Sequence, residues 1–198
     1  MKINRPKGII RKISEVIFGE SSSTHEIIKI LRDLKTNQKV LVIGSAEKTK
    51  IADMVINSNA EYHGLDIYKS KYVTNIGDVQ SMNYNNNLFD IVIIQSVLEH
   101  IKDPNKACQE IHRVLKMDGI VYSEAPFLQH VHEPGSDYFR FTAESHIYLY
   151  RNFKLLSIEI TKGIGYSLLW NIRYFIAIVI NNKKLAGLLC FPFCWLRS

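Results

Sequence analysis

Strand-like and helix-like segments alternate along most of this 198-residue chain. The clearest strand-like segment is LFDIVIIQS (residues 88–96), whose unbroken apolar run is typical of a strand covered on both faces. Ile and Leu recur at helical spacing in residues 23–35, and Pro104 and Gly119 mark the first turn and the end of another helix. This alternation predicts an α/β fold: a Rossmann-like, doubly wound, mostly parallel sheet with helices on both faces.

The pattern predicts six strands. They are KVLVIG (39–44), AEYHGLDIY (60–68), KYVTNIGDV (71–79), LFDIVIIQS (88–96), GIVYSEAPF (119–127) and KLLSIEITKG (154–163). In such a sheet the carboxyl ends of the strands meet at one edge, where ligands bind. The residues just past the strand ends are therefore the candidates for a binding site.

Charge is unevenly distributed along the chain. The net charge is +6, but residues 13–161 carry 15 basic and 19 acidic side chains, while residues 1–12 and 162–198 carry five basic side chains each and no acidic one. An acidic body between basic ends favours an anionic membrane surface over a nucleic-acid groove. We therefore expect a membrane-surface contact through residues 164–198 and no nucleic-acid partner.

Composition and length indicate one globular domain with short additions. We predict a basic N-terminal segment (1–22), an α/β domain (23–163) and an apolar, basic helical appendage (164–198). Three cysteines without framework spacing, and no signal-peptide pattern, indicate a cytoplasmic protein, peripheral to the membrane if the appendage binds it. The appendage fits equally well a helix pair that caps the sheet or forms a homodimer contact.

Two acidic residues follow strands in register with Gly44. Asp66 ends the second predicted strand, and a carboxylate there can accept hydrogen bonds from both hydroxyls of a ribose. Asp78 ends the third strand and could meet the exocyclic amine of an adenine. Either aspartate alone is a common turn residue, but the two together with Gly44 favour a nucleoside site.

A longer pattern supports this interpretation. LEHIKDPNKACQEIHRVLKMDG (98–119), together with VLVIG and LDIY upstream, resembles the class I S-adenosylmethionine-dependent methyltransferases, in their methyltransferase type 11-like branch, over residues 38–161. The resemblance implies an enzyme with S-adenosylmethionine as cofactor and no metal. It also implies the cofactor-binding residues, which are Gly44, Ser45, Ala46, Asp66, Ile67, Asp78, Val79, Gln95 and Ser96.

The loop after the first strand departs from the family pattern. The family usually has several glycines here, and this chain has only Gly44, followed by the small residues Ser45 and Ala46. Glu47 then places a carboxylate where a small residue is usual. That carboxylate could pair with the ammonium group of the cofactor, or it could obstruct the site.

Histidines supply the candidate catalytic groups. Methyl transfer to a hydroxyl gains from a general base, and any of His100, His130 and His132 could serve. Asp137 could orient one of them, while Tyr138 and Arg140 could position a polar or anionic acceptor. The predicted reaction is methylation, at oxygen, of a small-molecule, sugar or lipid-linked acceptor. The alternative is a methyltransferase-like fold without catalysis that serves as a binding module.

Overall fold

A computed structural model of the protein describes residues 24–47, 49–131, 136–161 and 163–190. The strands are β1 (Lys39–Ile43), β2 (Glu61–Asp66), β3 (Asn75–Ile76), β4 (Phe89–Gln95) and β5 (Leu115–Glu124). The helices are α1 (Thr24–Arg32), α2 (Lys50–Ile56), α3 (Pro104–Val114), α4 (Ala143–Leu149), α5 (Ile164–Val179) and α6 (Lys183–Leu189), with a short 3₁₀ helix at Leu98–His100.

The five strands form one parallel sheet in the order β3-β2-β1-β4-β5. The central strand β1 pairs with β2 on one side and with β4 on the other, where Val40 lies opposite Ile91. Strand order therefore reverses between β1 and β4, and ligands of such sheets bind at the carboxyl side of this switch point. The predicted fold class is confirmed.

Both faces of the sheet are covered. Val40 and Val42 of β1 pack on one face with residues of α1 and α2, whereas Leu41 and Ile43 pack on the other face with residues of α3. Alternate side chains of a strand point to opposite faces, so a strand buried on both faces needs a continuous apolar run. This explains why β1 and β4 were recognisable from their sequences.

The predicted sixth strand is wrong. Residues 154–161 have no regular secondary structure, and Ile160 in this segment is 80% exposed. Strand preference depends on a neighbouring strand and a packed face, which an apolar alternation cannot supply by itself. The predicted third strand is likewise reduced to two residues, Asn75–Ile76.

The prediction that Gly119 marks the end of a helix is wrong. The helix α3 ends at Val114, and the chain enters β5 directly at Leu115, opposite Phe89. The register then shifts, because the next paired position of β4 faces Ile120, so residues 116–119 bulge out of the ladder. A Cβ on Gly119 would lie 2.7 Å from Leu115 Cγ, and this close approach is what requires a glycine.

Two charged residues of the segment 98–119 hold the loop before β4 in place through hydrogen bonds. Arg113 donates hydrogen bonds to the backbone oxygens of Met82 (2.9 Å) and Tyr84 (2.6 Å). Glu110 accepts from the Met82 N–H (2.8 Å) and pairs with Arg113 (2.7 Å). These two residues of α3 therefore fix the connection between β3 and β4.

Asp90, at the start of β4, has a similar structural role. Its carboxylate accepts hydrogen bonds from the backbone N–H of Lys39 (2.8 Å) and from Lys116 Nζ (2.8 Å). Burial by itself would raise the pKa of Asp90, but the hydrogen bonds from these two lysines lower it below its ordinary value. The aspartate thus ties the beginnings of β1, β4 and β5 together.

The chain divides into two compact units. We call the described residues within 26–127 and 131–158 the sheet domain, and the described residues within 128–130 and 159–190 the helical unit, which contains α5 and α6. The predicted boundary at 163/164 stays a prediction, and the predicted N-terminal segment 1–22 lies outside the described residues. Among the described residues, no helix has both the length and the apolarity needed to cross a bilayer.

Candidate active site

The turn after β1 is held by β2 and β4. Gly44 adopts a positive φ of 79°, and the N–H groups of Gly44 and Ser45 both donate to the Leu65 carbonyl (2.9 and 3.3 Å). A Cβ at Gly44 would lie 2.2 Å from Val97 Cγ2. Backbone conformation and contact distance therefore both require glycine at this position.

Asp66 closes the same turn from the end of β2. Its Oδ2 accepts from the Ala46 N–H (2.8 Å), and its Oδ1 accepts from the Tyr68 N–H (2.9 Å). A carboxylate offers about four lone-pair positions, so each oxygen can still accept a ligand hydroxyl. The structure thus brings Gly44, Ser45, Ala46 and Asp66 together, with the Ser45 side chain fully buried, so that the turn presents backbone rather than the serine hydroxyl.

Apolar side chains are exposed beside this carboxylate. Ile67 directly follows Asp66 and is 60% exposed, and Tyr68 and Ile76 at the ends of β2 and β3 are also exposed. Exposed apolar groups next to a hydrogen-bonding acid suit a ligand with a flat apolar ring attached to a sugar. A nucleoside has that chemistry.

Asp78 and Val79 lie in the next turn along the edge. The Asp78 carboxylate is exposed and accepts hydrogen bonds from the Gln80 backbone N–H (2.8 Å) and from Gln80 Nε2 (2.9 Å). Val79 is buried in the core. Only the backbone of Val79 can therefore face a ligand. The Asp78 carboxylate stabilises the turn through Gln80 and is also exposed to a ligand.

Gln95 ends β4, and Ser96 follows it. Both residues are held by Glu124, to which the sequence analysis gave no role. Gln95 Nε2 donates to Glu124 Oε2 (2.9 Å), and the Ser96 N–H donates to the Glu124 carbonyl (2.9 Å). Ser96 has a positive φ of 50°, which an L residue adopts only when its surroundings impose it. The only sequence signal for Glu124 was its place at the end of the fifth strand.

His100 lies in the 3₁₀ helix after β4 and contacts the following loop. Its Nδ1 is 2.7 Å from the Ser136 carbonyl, which can only accept, so Nδ1 carries a proton and Nε2 is the basic nitrogen of the neutral ring. The Glu99 carbonyl accepts from the N–H groups of Tyr138 (2.7 Å) and Phe139 (3.2 Å). The segment Leu98–His100 therefore anchors the loop that carries the predicted acceptor residues.

Glu99 is the feature that the sequence least revealed. Its side chain is fully buried, and within the described part of the chain neither carboxylate oxygen has a hydrogen-bond donor. Oε1 lies 3.8 Å from His100 Nε2. Burial raises the pKa of Glu99, an effect that the neighbouring His100 and Arg140 oppose.

Asp137 and Arg140 form an ion pair in the anchored loop. Arg140 Nη2 donates to Asp137 Oδ2 (2.7 Å), and Nη1 donates to the other carboxylate oxygen, which makes the pair bidentate. Hydrogen bonding to Asp137 raises the pKa of Arg140. Tyr138, between them, is exposed, so its side chain is open to a ligand.

The other two predicted bases lie outside the described part of the sheet domain. His130 belongs to the helical unit, where its ring centroid lies 3.6 Å from that of Tyr174. His132 lies outside the described residues. No group of three metal-ligating side chains occurs in the ranges that the structure describes.

Comparison with known proteins agrees with this geometry. A parallel sheet with its switch point between β1 and β4, and an acid at the end of β2, is the arrangement of Rossmann-like sheets that bind nucleosides. Residues 52–123 match the family model described as a methyltransferase domain, Methyltransf_11. Over these residues the chain is similar to a methyltransferase domain, in agreement with the motif resemblance seen in the sequence.

Solved structures with the same fold are distant in sequence. Phosphoethanolamine N-methyltransferase 2 from Haemonchus contortus, in complex with S-adenosyl-L-methionine, is 20% identical over 91% of this chain, with a TM-score of 0.59. This chain spans 50% of that protein. A putative sarcosine dimethylglycine methyltransferase from Galdieria sulphuraria is 14% identical, with 94% of this chain and 80% of that one covered and a TM-score of 0.60.

A third similar structure has a different reaction in its name. The [4+2]-cyclase SpnF is 18% identical, with 86% of this chain and 72% of that one covered and a TM-score of 0.57. No curated protein matches the chain in sequence. Because one fold serves several reactions, these likenesses establish the fold, and the reaction has to be argued from the site.

We expect Gly44→Ala to destabilise the protein by roughly 2 kcal/mol or more, because it adds strain at a positive φ and a collision with Val97. Urea denaturation measures this change. Gly163→Ala is the matched control, since a Cβ at Gly163 meets nothing within 4 Å. Equal stability of the two variants would contradict the assigned role of the turn.

We expect Glu99→Gln to change the pH dependence of stability. The raised pKa of Glu99 means that the folded state loses stability as pH rises from the unfolded-state pKa, near 4.5, through the folded-state value. Gln does not ionise, so the free energy of unfolding of the variant relative to wild type should increase between about pH 4 and pH 8. Thermal unfolding at several pH values measures it.

Glu110→Gln is the control of opposite sign. Its hydrogen bond with Arg113 lowers the pKa of Glu110, so this carboxylate stabilises the fold above its unfolded-state pKa, and that contribution is lost as pH falls. The variant should lose about 1 kcal/mol at neutral pH and less at pH 4. The same pH trend in both variants would show that the buried state of Glu99 is misassigned.

Proposed function

We propose that this chain transfers a methyl group from S-adenosylmethionine to an oxygen of a small-molecule, sugar or lipid-linked acceptor. The observation that carries the proposal is the Asp66 carboxylate, which is fixed next to the Gly44 turn with lone pairs still open. The family and the cofactor-bound neighbour support the choice of cofactor. Bound S-adenosylmethionine would supply an electrophilic methyl carbon.

The residues present fit that cofactor. Asp66 would accept hydrogen bonds from the ribose hydroxyls, and Ile67 would cover the adenine, with Asp78 and the backbone of Val79 at its edge. The backbone of the turn from Gly44 to Ala46 would face the methionine part, whose sulfonium needs close approach but no phosphate-binding loop. Gln95 and Ser96 would line the other side, and the exposed Glu47 is within the turn that would approach the ammonium group.

We propose His100 as the base that accepts the proton of the acceptor hydroxyl. Its Nδ1–H donates to the Ser136 carbonyl, so Nε2 is the nitrogen that would take the proton. Glu99 Oε1, at 3.8 Å from Nε2, would stabilise the imidazolium that forms. A hydroxyl needs such a base more than a neutral amine does, and this supports oxygen as the methylated atom.

The anchored loop would hold the acceptor. Tyr138 is exposed beside the Asp137–Arg140 pair, and its hydroxyl can donate to or accept from a sugar. The guanidinium group of Arg140 would add positive charge near an anionic group of the acceptor. His130 and His132 stay predictions as bases, as do a cytoplasmic location, a homodimer and the lack of a nucleic-acid partner.

A methyl-transfer assay tests the proposal. Radiolabelled S-adenosylmethionine is incubated with the full chain and with a panel of free sugars, polyprenyl-linked sugars and phosphoethanolamine. We expect label in a hydroxyl-bearing acceptor, and we expect His100→Gln to lower kcat by roughly 100-fold with cofactor affinity unchanged. His112→Gln on the exposed side of α3 is the matched control and should retain activity.

The same assay distinguishes the alternatives. Label in phosphoethanolamine alone would contradict methylation at oxygen. Cofactor binding without transfer to any acceptor would favour the methyltransferase-like binding module over the enzyme. Full activity of His100→Gln would remove His100 from the mechanism.

A further inference from the structure

The helix α5 exposes an apolar stripe. At 100° per residue, its exposed positions fall within an arc of roughly 100°, a single face of the helix. Those positions hold five large apolar side chains and one amide, which are Ile164, Leu168, Asn171, Phe175, Ile178 and Val179. The single amide is satisfied by the helix itself, because Asn171 Nδ2 donates to the Ser167 carbonyl (2.8 Å).

This pattern is the reverse of that of an ordinary surface helix. On a helix that packs against a core, the solvent-facing stripe is polar and the buried stripe is apolar. Here Phe175 on the exposed stripe is 68% exposed, whereas the one cation of α5, Arg173, lies on the opposite side against α6, with its Nε 3.8 Å from a Cβ placed at Gly187. An apolar face of this kind marks a surface that is covered by something else.

The helix α6 repeats the pattern. Leu185, Leu188 and Leu189 are exposed, while Ala186 and Cys190 are buried. The two helices pack against each other within the helical unit. Both helices therefore present large apolar side chains on their exposed surface.

The charge of the segment indicates what covers this face. Residues 162–198 carry five basic side chains and no acidic one, whereas residues 13–161 of the same chain are net acidic. An apolar stripe in a segment that carries cations and no anions matches the acyl and headgroup layers of an anionic membrane. A second copy of the chain would instead bring a like-charged segment against this one.

The length of α5 indicates how it would lie. Sixteen residues rise about 24 Å, less than the hydrocarbon core of a bilayer, and the apolar surface is confined to one stripe. A helix of this kind lies in the interface with its stripe towards the acyl chains.

We infer that the exposed stripe of α5, continued by the leucines of α6, docks the protein on anionic membrane surfaces. The inference does not depend on methyl transfer or on cofactor binding. It assigns the basic, apolar end of the chain a lipid surface as its partner. For a lipid-linked acceptor, it would bring enzyme and acceptor to the same surface.

Vesicle co-sedimentation of the full chain tests this, without cofactor. Vesicles are of phosphatidylcholine alone or of phosphatidylcholine with 30% phosphatidylserine. We expect binding to the anionic vesicles to be at least about tenfold tighter and to weaken in high salt. Phe175→Glu should weaken binding to the anionic vesicles by a factor of about ten or more relative to the wild type, whereas Phe175→Leu should retain that binding.

Controls separate membrane docking from general charge and folding effects. Met117→Glu makes the same charge change at a residue of the sheet domain that is 94% exposed, and it should not alter binding. Unchanged melting temperatures of the variants would show that they are folded.

Three results would overturn the inference. They are absence of wild-type binding to anionic vesicles, equal losses in Phe175→Glu and Met117→Glu, and a wild-type dimer that Phe175→Glu dissociates while vesicles bind neither protein.

Discussion

The hydrogen bonds between the turn after β1 and the end of β2 are the interaction on which the candidate site depends. The Leu65 carbonyl accepts from Gly44 and Ser45, and the Asp66 carboxylate accepts from Ala46. These bonds continue the β1–β2 ladder beyond the strands, so that a tight backbone turn and an acid occupy the same edge of the sheet. Val97 then closes the turn from β4, in a space that exists only because Gly44 has no side chain.

The residues that make the family recognisable act mainly on the fold. Asp90 ties three strand ends together, Asp103 caps α3 through the Lys106 N–H (3.1 Å), and Glu110 with Arg113 fastens the loop before β4. The match to the family model across residues 52–123 therefore reflects mainly residues that stabilise the fold.

Glu99 and His100 are the exception within the same motif. One contributes a buried carboxyl and the other a histidine with its proton placed by the Ser136 carbonyl. In the proposed mechanism, His100 therefore lies only three residues before Asp103, which caps α3 and stabilises the fold. A single glycine after β1 is compatible with the proposed cofactor, because S-adenosylmethionine has no phosphates to cradle.

Sequence alone predicted what depends on periodicity and register. The apolar runs of β1 and β4 identified the central strands, and the parallel pairing of β1 with β2 places Gly44 and Asp66 at the same edge of the sheet. It failed where the outcome depends on contacts between distant residues. Residues 154–161 have the composition of a strand but pair with none of the five strands, and nothing near Glu99 in the sequence indicates that its carboxyl is fully buried.

Calorimetric titration of S-adenosylmethionine into the full-length protein tests the central claim most directly. We expect saturable one-site binding to the wild type and binding at least about tenfold weaker to Asp66→Asn, because a charged hydrogen-bond acceptor for the ribose is lost. Asp118→Asn, on the exposed bulge of β5, should bind as the wild type does. A folded wild-type protein that gives no saturable heat, or an Asp66→Asn variant that binds equally well, would contradict the account.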